Sequence, residues 1–541
     1  MPERAACSIF RGAAPVAPVQ RIAMRLASLQ GMRRNGVAFL LGVTAALALP
    51  PVDLTPLLIL AFSGLVWLFE GVRTKRAAFG LGWSFGFGFF LAGLYWIAAS
   101  LFVDITRFWW LVPFAAAGVP AVLALSGAAA TLATFLLCRQ LYWRGVARIL
   151  TLAVFWAASE WLRGHILGGF PWNLVGHAWS GGFPGSLAML QVTSLIGIYG
   201  LSLITIVVAM LPASLGDFGG RRWPPLIATG MALALCLAFG AFRLAPGSVP
   251  LVPGITLRLI QPAIPENFAD GPAEHLAHLR EEQALATEPA SQKLSAVIWP
   301  EGGAPAFLER NVQALGVIAE ATPPDGLTLV GTVRTDPAPA TPEHVWNTLE
   351  AIDGKGAVVA YYDKAHLVPF GEYVPLRQFL PMDKITPGAI DFSPGPGPRT
   401  LHLPGLPPFS PLICYEAIFP HRAIDPQDRP QWLLTITNDV WFGFTSGPFQ
   451  HFDSARIRAV EEGLPLVRDA NNGVSGLVDP YGRVLDRMSL NTIGYTDIPL
   501  PQALPETPYE RLGDWPFLLA LPGLLILAWG CARARAGLSG F

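Results

Sequence analysis

Gly185-Ser186-Leu187-Ala188-Met189-Leu190-Gln191-Val192-Thr193-Ser194-Leu195-Ile196-Gly197-Ile198-Tyr199-Gly200-Leu201-Ser202-Leu203-Ile204-Thr205-Ile206-Val207-Val208-Ala209-Met210-Leu211-Pro212-Ala213 contains no Asp, Glu, Lys or Arg. About 20 helical residues cross the hydrocarbon core of a bilayer, so this stretch reads as a membrane span. Working outward, similar runs lie near 36–51, 55–71, 77–100, 109–137, 148–163 and 224–242, with one more near 515–532. The first could pass for a secretory signal. It lacks a small-residue cleavage site and further spans follow at once, so it reads as a retained helix. The expected architecture is a polytopic α-helical bundle of about eight transmembrane helices, interrupted before the last by a long insert.

Composition supports this reading. Of 541 residues, 52% are apolar and only 14% are charged, against about 25% charged in a typical soluble domain. A disordered chain is excluded, and a conventional soluble enzyme is disfavoured. The formal net charge is −1, which gives no basic footprint for nucleic acid. That near-zero total conceals a segregation, because residues 244–514 hold 18 Lys/Arg against 32 Asp/Glu. Outside them, basic residues gather in alternate connections: Arg21, Arg25, Arg33 and Arg34; Arg73, Lys75 and Arg76; Arg139, Arg144 and Arg148; Arg221 and Arg222; Arg533 and Arg535. Eight crossings put all of them on one face, the cytoplasmic one by the Lys/Arg rule. The expected organisation is a basic tail over 1–35, seven membrane helices over 36–243, an extracytoplasmic domain over 244–514, and a last span and tail over 515–541. Both termini are then cytoplasmic.

The insert alternates β-rich runs with helical periods. Residues 255–261, 296–299, 328–333, 345–352, 357–362, 412–414, 433–437, 464–468 and 473–478 read as strands, and 272–286, 305–321 and 448–462 as amphipathic helices. The repetition indicates an α/β domain, with an irregular Pro/Gly-rich loop over 386–411.

Cysteines stand at 7, 138, 236, 414 and 531, with no zinc or disulfide-framework spacing. No metal cluster or phosphate-binding Gly motif is visible, so no metal and no cofactor are expected. Cys414 is the only cysteine of the insert. A lone thiol is either buried and inert or kept for chemistry, and its position at a strand end before Tyr415-Glu416 favours chemistry. Glu301 ends the apolar run Ala296-Val297-Ile298-Trp299-Pro300, where a carboxylate needs a partner if buried. Lys364 follows Tyr361-Tyr362-Asp363. Alone, Glu301 reads as an exposed loop acid and Lys364 as a surface lysine. Together they supply a nucleophile, a base to take its proton, and a cation for the tetrahedral oxyanion.

Trp299-Pro300-Glu301, Lys364…Phe370-Gly371-Glu372 and Cys414-Tyr415-Glu416 resemble the Glu-Lys-Cys signature of the nitrilase superfamily. The membrane setting narrows the match. Lys364-Ala365-His366-Leu367-Val368-Pro369-Phe370-Gly371-Glu372-Tyr373-Val374-Pro375 is similar to the apolipoprotein N-acyltransferase family. So are Asn438-Asp439-Val440-Trp441-Phe442-Gly443, Gln450-His451 and Arg468-Asp469-Ala470-Asn471-Asn472-Gly473. The resemblance implies an αββα sandwich facing the periplasm of a bacterial inner membrane. It implies transfer of an acyl chain from a phospholipid, through a Cys414 thioester, to the α-amine of an apolipoprotein's diacylglyceryl-cysteine. Glu301 is then the base. Lys364 and the N–H after Cys414 hold the oxyanion. Glu372 is a second acid beside them, Tyr415 and Glu416 shape the pocket, and Asn347 is a structural or site polar residue. The implied partners are the phospholipid donor, the apolipoprotein acceptor and membrane lipids, with no nucleic acid and a monomeric enzyme. One departure lies at Gln261-Pro262-Ala263-Ile264-Pro265-Glu266, which lacks the family's Asn; Phe268 stands nearest the family's Trp.

Lipid substrates call for apolar, mobile loops at the entrance. The candidates are 379–392, with Phe379, Leu380, Met382 and Ile385, and 440–452, with Trp441, Phe442, Phe444 and Phe449. The loop 168–179, with Phe170-Pro171-Trp172, either packs under the domain, lines lipid access or forms an aromatic belt. The competing readings are a membrane-tethered amidase acting on a small amide, and a non-catalytic lipid-binding module. Many spans disfavour the first, since a tether needs only one. The complete Glu-Lys-Cys set disfavours the second.

Overall fold

The computed structural model describes residues 17–217, 223–267, 270–337, 344–379, 383–386, 388 and 390–538. All eight apolar regions contain a helix: Gly31–Ala46, Leu57–Glu70, Lys75–Leu94, Val119–Gln140, Val146–His165, Thr193–Met210, Trp223–Leu244 and Trp515–Leu538. Among the described residues, five helical stretches are long and apolar enough to cross a membrane: Lys75–Leu111, Phe114–Gln140, Thr193–Gly216, Trp223–Leu244 and Trp515–Ala534. The other three fall short for visible reasons. Gly31–Ala46 and Leu57–Glu70 have 16 and 14 residues, about 24 and 21 Å at the helical rise. Val146–His165 carries Arg148, Glu160 and Arg163.

Some boundaries differ from the sequence reading. The segment read as a basic tail holds a helix, Pro18–Ser28, and the next helix begins at Gly31; residues 1–16 lie outside the described set. The end of the third region leaves α-geometry, with Tyr95–Asp104 in a 3-10 helix. The run 185–213 is not one straight helix. It opens with Ser186–Leu190, and Thr193–Met210 is kinked at Gly197, whose φ is 65° and ψ 179°. The freed Ile198 N–H donates to Glu461 Oε1 at 2.8 Å.

Small residues set the helix spacing. A Cβ on Gly82 would stand 2.2 Å from the Gly127 carbonyl oxygen, and one on Gly42 would stand 2.0 Å from that of Phe85. Glycine therefore lets Lys75–Leu94 lie directly against Val119–Gln140 and Gly31–Ala46.

The insert is a two-sheet sandwich. Its strands are β1 Leu251–Gln261, β2 Ala296–Ile298, β3 Leu327–Thr335, β4 Val345–Asp353, β5 Val358–Asp363, β6 Phe409–Ile413, β7 Trp432–Thr437, β8 Leu466–Ala470, β9 Ser475–Val478, β10 Val484–Met488 and β11 Gly494–Pro501. One sheet has the order β11-β1-β2-β3-β4-β5 and the other β10-β9-β8-β7-β6. Leu257, Ile298, Leu329 and Leu349 meet Phe409, Trp432, Leu434 and Val467 between them. Helices Pro272–Thr287 and Val312–Ala321 cover Val297, Trp299 and Val330 on the first sheet's outer face. Gly447–Glu462 covers Leu412, Leu433 and Leu466 on the second. The layers are αββα. Strands β10 and β11 escaped the sequence reading because they are edges interrupted by Asp486, Arg487, Asp497 and Pro499, residues that blunt edge pairing.

Gln450 joins the domain to the bundle. Its Oε1 accepts from Trp96 Nε1 at 3.1 Å and Trp172 Nε1 at 2.8 Å. Its Nε2 donates to the carbonyls of Pro50 at 3.3 Å and Gly93 at 3.2 Å. The loop 168–179 thus packs under the domain, with Trp172 buried.

At Gly197 a Cβ would also stand 2.2 Å from Tyr509 Cε2. Gly197→Ala is expected to cost about 1–3 kcal/mol from the backbone conformation alone, read as a lowered thermal midpoint in detergent. An unchanged midpoint would contradict the kink.

Candidate active site

Three strand ends carry the candidate catalytic residues. Glu301 follows β2, Lys364 follows β5 and Cys414 follows β6. The structure brings them together with Glu372 and Asn347. Lys364 Nζ lies 3.0 Å from Glu372 Oε1 and 3.6 Å from Glu301 Oε1. Asn347, on β4, donates through Nδ2 to Glu301 Oε1 at 2.7 Å and to Glu372 Oε1 at 2.9 Å. Glu301 Oε2 accepts from the Asn438 N–H at 2.8 Å, and Glu372 Oε2 from the Val368 N–H at 2.7 Å. One ammonium and one amide thus keep two carboxylates in place.

Lys364 is 1% exposed. Burial alone would lower its pKa, but the Glu372 and Glu301 charges outweigh burial and hold the ammonium above the ordinary lysine range. The group remains a cation, suited to stabilising negative charge rather than to giving up a proton. Cys414 is buried. Burial pushes its thiol up, and Glu301 adds to this against the pull of Lys364. Both effects favour the protonated thiol, so a base beside it would be needed for it to act as a nucleophile. Its φ of 51° lies in the left-handed region, which a side chain with a Cβ adopts only when surrounding contacts hold it.

Glu416 is a backbone clamp. Its Oε1 accepts from Tyr362 Oη at 2.9 Å and from the N–H groups of Ala365 at 2.8 Å and His366 at 3.1 Å; its Oε2 accepts from the Ile413 N–H at 2.8 Å. It locks the Lys364 turn to the Cys414 turn. Tyr415 reaches the membrane bundle, its Oη donating to the Gly169 carbonyl at 3.0 Å. His366 Nε2 lies 2.7 Å from the Gly168 carbonyl.

The loop residues divide. Phe379 is 71% exposed and Phe444 77%. Trp441 is half-buried. Phe442 packs on Trp96 and Trp172, with ring centroids 4.8 and 5.7 Å away. Arg107 Nη2 bonds Asp383 Oδ2, tying the 3-10 segment's neighbourhood to the 379–392 loop. Leu380, Met382 and Phe268 lie outside the described residues. Among the described residues, no group of three or more His, Cys, Asp or Glu is arranged to hold a metal.

Three buried residues behind Cys414 had no role in the sequence reading, although their motifs were noted. His451 Nε2 lies 2.9 Å from the Cys414 carbonyl oxygen, and its Nδ1 lies 3.0 Å from Asp439 Oδ1 and from Arg468 Nη2. Arg468 pairs with Asp439 at 3.0 Å. The available signal was Arg468 itself, a cation directly after the apolar run Leu464–Val467, where a buried unpaired charge is prohibitive.

Removing Lys364 leaves Glu301 and Glu372 without their cation. Lys364→Met is expected to destabilise the fold by about 3–5 kcal/mol, and adding Glu372→Gln should recover part of that loss. Thermal unfolding of the three proteins checks this; a Lys364→Met midpoint equal to wild type would contradict it.

Comparison with known proteins fits this architecture in two parts. Residues 41–211 match the apolipoprotein N-acyltransferase N-terminal domain, and 256–504 match the carbon-nitrogen hydrolase family. The apolipoprotein N-acyltransferase of Rhodopseudomonas palustris is 40% identical over 94% of this chain and 97% of its own. That of Sinorhizobium fredii is 36% identical over 96% of this chain and 99% of its own. An amidase from Nesterenkonia sp., 22% identical, aligns over 46% of this chain and 92% of its own with a TM-score of 0.33. With helical bundle, nitrilase-like sandwich and near full-length relatives in agreement, the chain belongs to the apolipoprotein N-acyltransferase family.

Proposed function

We propose that the chain transfers an acyl chain from a phospholipid, through a Cys414 thioester, to the α-amine of diacylglyceryl-cysteine in an apolipoprotein. In the first half, Cys414 Sγ attacks the ester carbonyl carbon while its proton passes to Glu301. The oxyanion forms against Lys364 Nζ and the Tyr415 N–H. Collapse breaks the carbon–oxygen bond, and the leaving glycerol oxygen takes the proton back from Glu301, releasing lysophospholipid. In the second half, the amine attacks the thioester carbon, Glu301 takes an N–H proton, and the departing Cys414 sulfur recovers it. General-base help and oxyanion stabilisation are each worth several orders of magnitude in rate.

The observation that carries this reading is the tie between the Cys414 turn and the bundle. Tyr415, the residue after the nucleophile, bonds Gly169, and His366, two residues after Lys364, bonds Gly168. Tyr415, Ile418 and Phe419 also belong to the bundle's own apolar cluster. A site for a small soluble amide has no need of that attachment, whereas a site for lipid esters must be held at the bilayer.

The eight-crossing topology is part of the proposal. Only with eight do the basic clusters share one face, which the Lys/Arg rule makes cytoplasmic. The inward charges of Val146–His165 are compatible with crossing: Glu160 Oε1 accepts from the Val175 N–H, and Arg163 donates to the Phe170 and Trp172 carbonyls. The sandwich is then periplasmic, the termini are cytoplasmic, and a monomer carries the whole site.

Purified protein incubated with phospholipid and a diacylglyceryl peptide should add one acyl mass to the peptide, with an acyl adduct on Cys414 when the peptide is omitted. Cys414→Ser should abolish both. Free fatty acid without acylated peptide would sink the transferase reading. In sealed right-side-out vesicles, peptide supplied only outside should still be acylated; failure there would overturn the orientation.

The raised thiol also gives a pH signature. Thiolate grows tenfold per pH unit below the pKa, so iodoacetamide modification of Cys414 should still be climbing at about pH 9, where an ordinary thiol of pKa about 8.5 is levelling. A plateau at lower pH would contradict a buried thiol facing Glu301.

A further inference from the structure

We propose that His451 is a positioning residue that aims the Tyr415 N–H at the oxyanion; this rests on the reading of Cys414 as the acyl-bearing nucleophile. Its Nε2 lies 2.9 Å from the Cys414 carbonyl oxygen. A carbonyl only accepts, so Nε2 carries the hydrogen of this bond. The carbonyl and the next N–H belong to one planar trans peptide unit and point in opposite directions. Holding the Cys414 oxygen on His451 therefore turns the Tyr415 N–H to the other side of the chain, towards the space in front of the nucleophile. Tyr415 is the second residue of the 3-10 turn Cys414–Ile418, where an N–H has no partner within the turn. The donor is thus available, and its direction is set from behind.

His451 is itself fixed on every side. Asp439 Oδ1 and Arg468 Nη2 each lie 3.0 Å from Nδ1. Thr437 Oγ1 donates to Asp439 Oδ1 at 2.9 Å. The Trp172 and Phe442 rings flank the imidazole at 5.5 and 5.3 Å. His451, Asp439 and Arg468 are all fully buried. The Arg468–Asp439 pair survives loss of the imidazole, so a His451 variant leaves no charge stranded. The unfavourable φ of Cys414 explains why such a clamp is needed: without it, the peptide unit would relax and the N–H would swing away.

Two reactions of the same sulfur separate positioning from general damage. Thioester formation passes through an oxyanion; alkylation by iodoacetamide is a direct displacement and does not. Each is measured by mass spectrometry at Cys414 in full-length protein, with phosphatidylethanolamine vesicles as acyl donor. His451→Phe is expected to slow thioester formation about 100-fold, the scale of one lost oxyanion donor, while changing alkylation by less than about 3-fold. His451→Gln, whose amide can donate to the same carbonyl, should recover to within about 10-fold of wild type, by the same single-donor scale. Equal losses in the two reactions, or unchanged thioester formation in His451→Phe, would overturn the proposal. Wild-type protein that is alkylated at Cys414 yet forms no thioester would instead overturn the nucleophile reading, and the proposal with it.

Discussion

The molecule depends on the attachment of one helix, Gly447–Glu462, to the membrane bundle. Gln450, in its first turn, uses all its donor and acceptor capacity on Trp96, Trp172, Pro50 and Gly93. Glu461, in its last turn, accepts from the backbone of Ile198. The helix is pinned at both ends, and each pin is a buried polar contact whose loss would leave unpaired groups. The residue after Gln450 is His451, which holds the Cys414 carbonyl. One helical turn therefore links the bundle to the Cys414 backbone.

The electrostatics of the site follow from the same rigidity. Lys364 sits between Glu301 and Glu372 with almost no exposure, an arrangement that is stable only while its geometry is kept. Asn347 spaces the two carboxylates, and Glu416 fastens the Lys364 and Cys414 turns to each other. Glu301 is the more exposed of the two carboxylates, and in the proposed reaction it is the one that takes and returns the proton. The framework gathers the Lys364 cation and the Glu301 carboxylate at the Cys414 turn.

Much of this was legible in the sequence where the signal is local. Apolar runs located a helix in all eight regions. Alternation within the insert located nine of its strands, and the Glu301, Lys364 and Cys414 segments stood out at strand ends. What escaped was set by distant partners. Nothing near Gln450 announces Pro50, Gly93 or Trp96, and nothing in the apolar run around Gly197 announces a kink whose reason lies at Glu461 and Tyr509. Glu416 read as a pocket residue, but its four bonds to neighbouring groups make it a clamp. Strands β10 and β11 were hidden because edge strands carry the charges and prolines that usually mark loops.

The bend at Gly197 imposes an order of assembly. Ile198 lies 263 residues before Glu461, so the chain makes this helix well before its partner. An unmet buried N–H is costly, and until Glu461 arrives this one must be met by water or by a straighter helix. The native bend therefore becomes the favoured shape only after the sandwich has folded and docked. A membrane helix threaded early is finished by a soluble domain made late, and the bundle's maturity reports that of the enzyme above it.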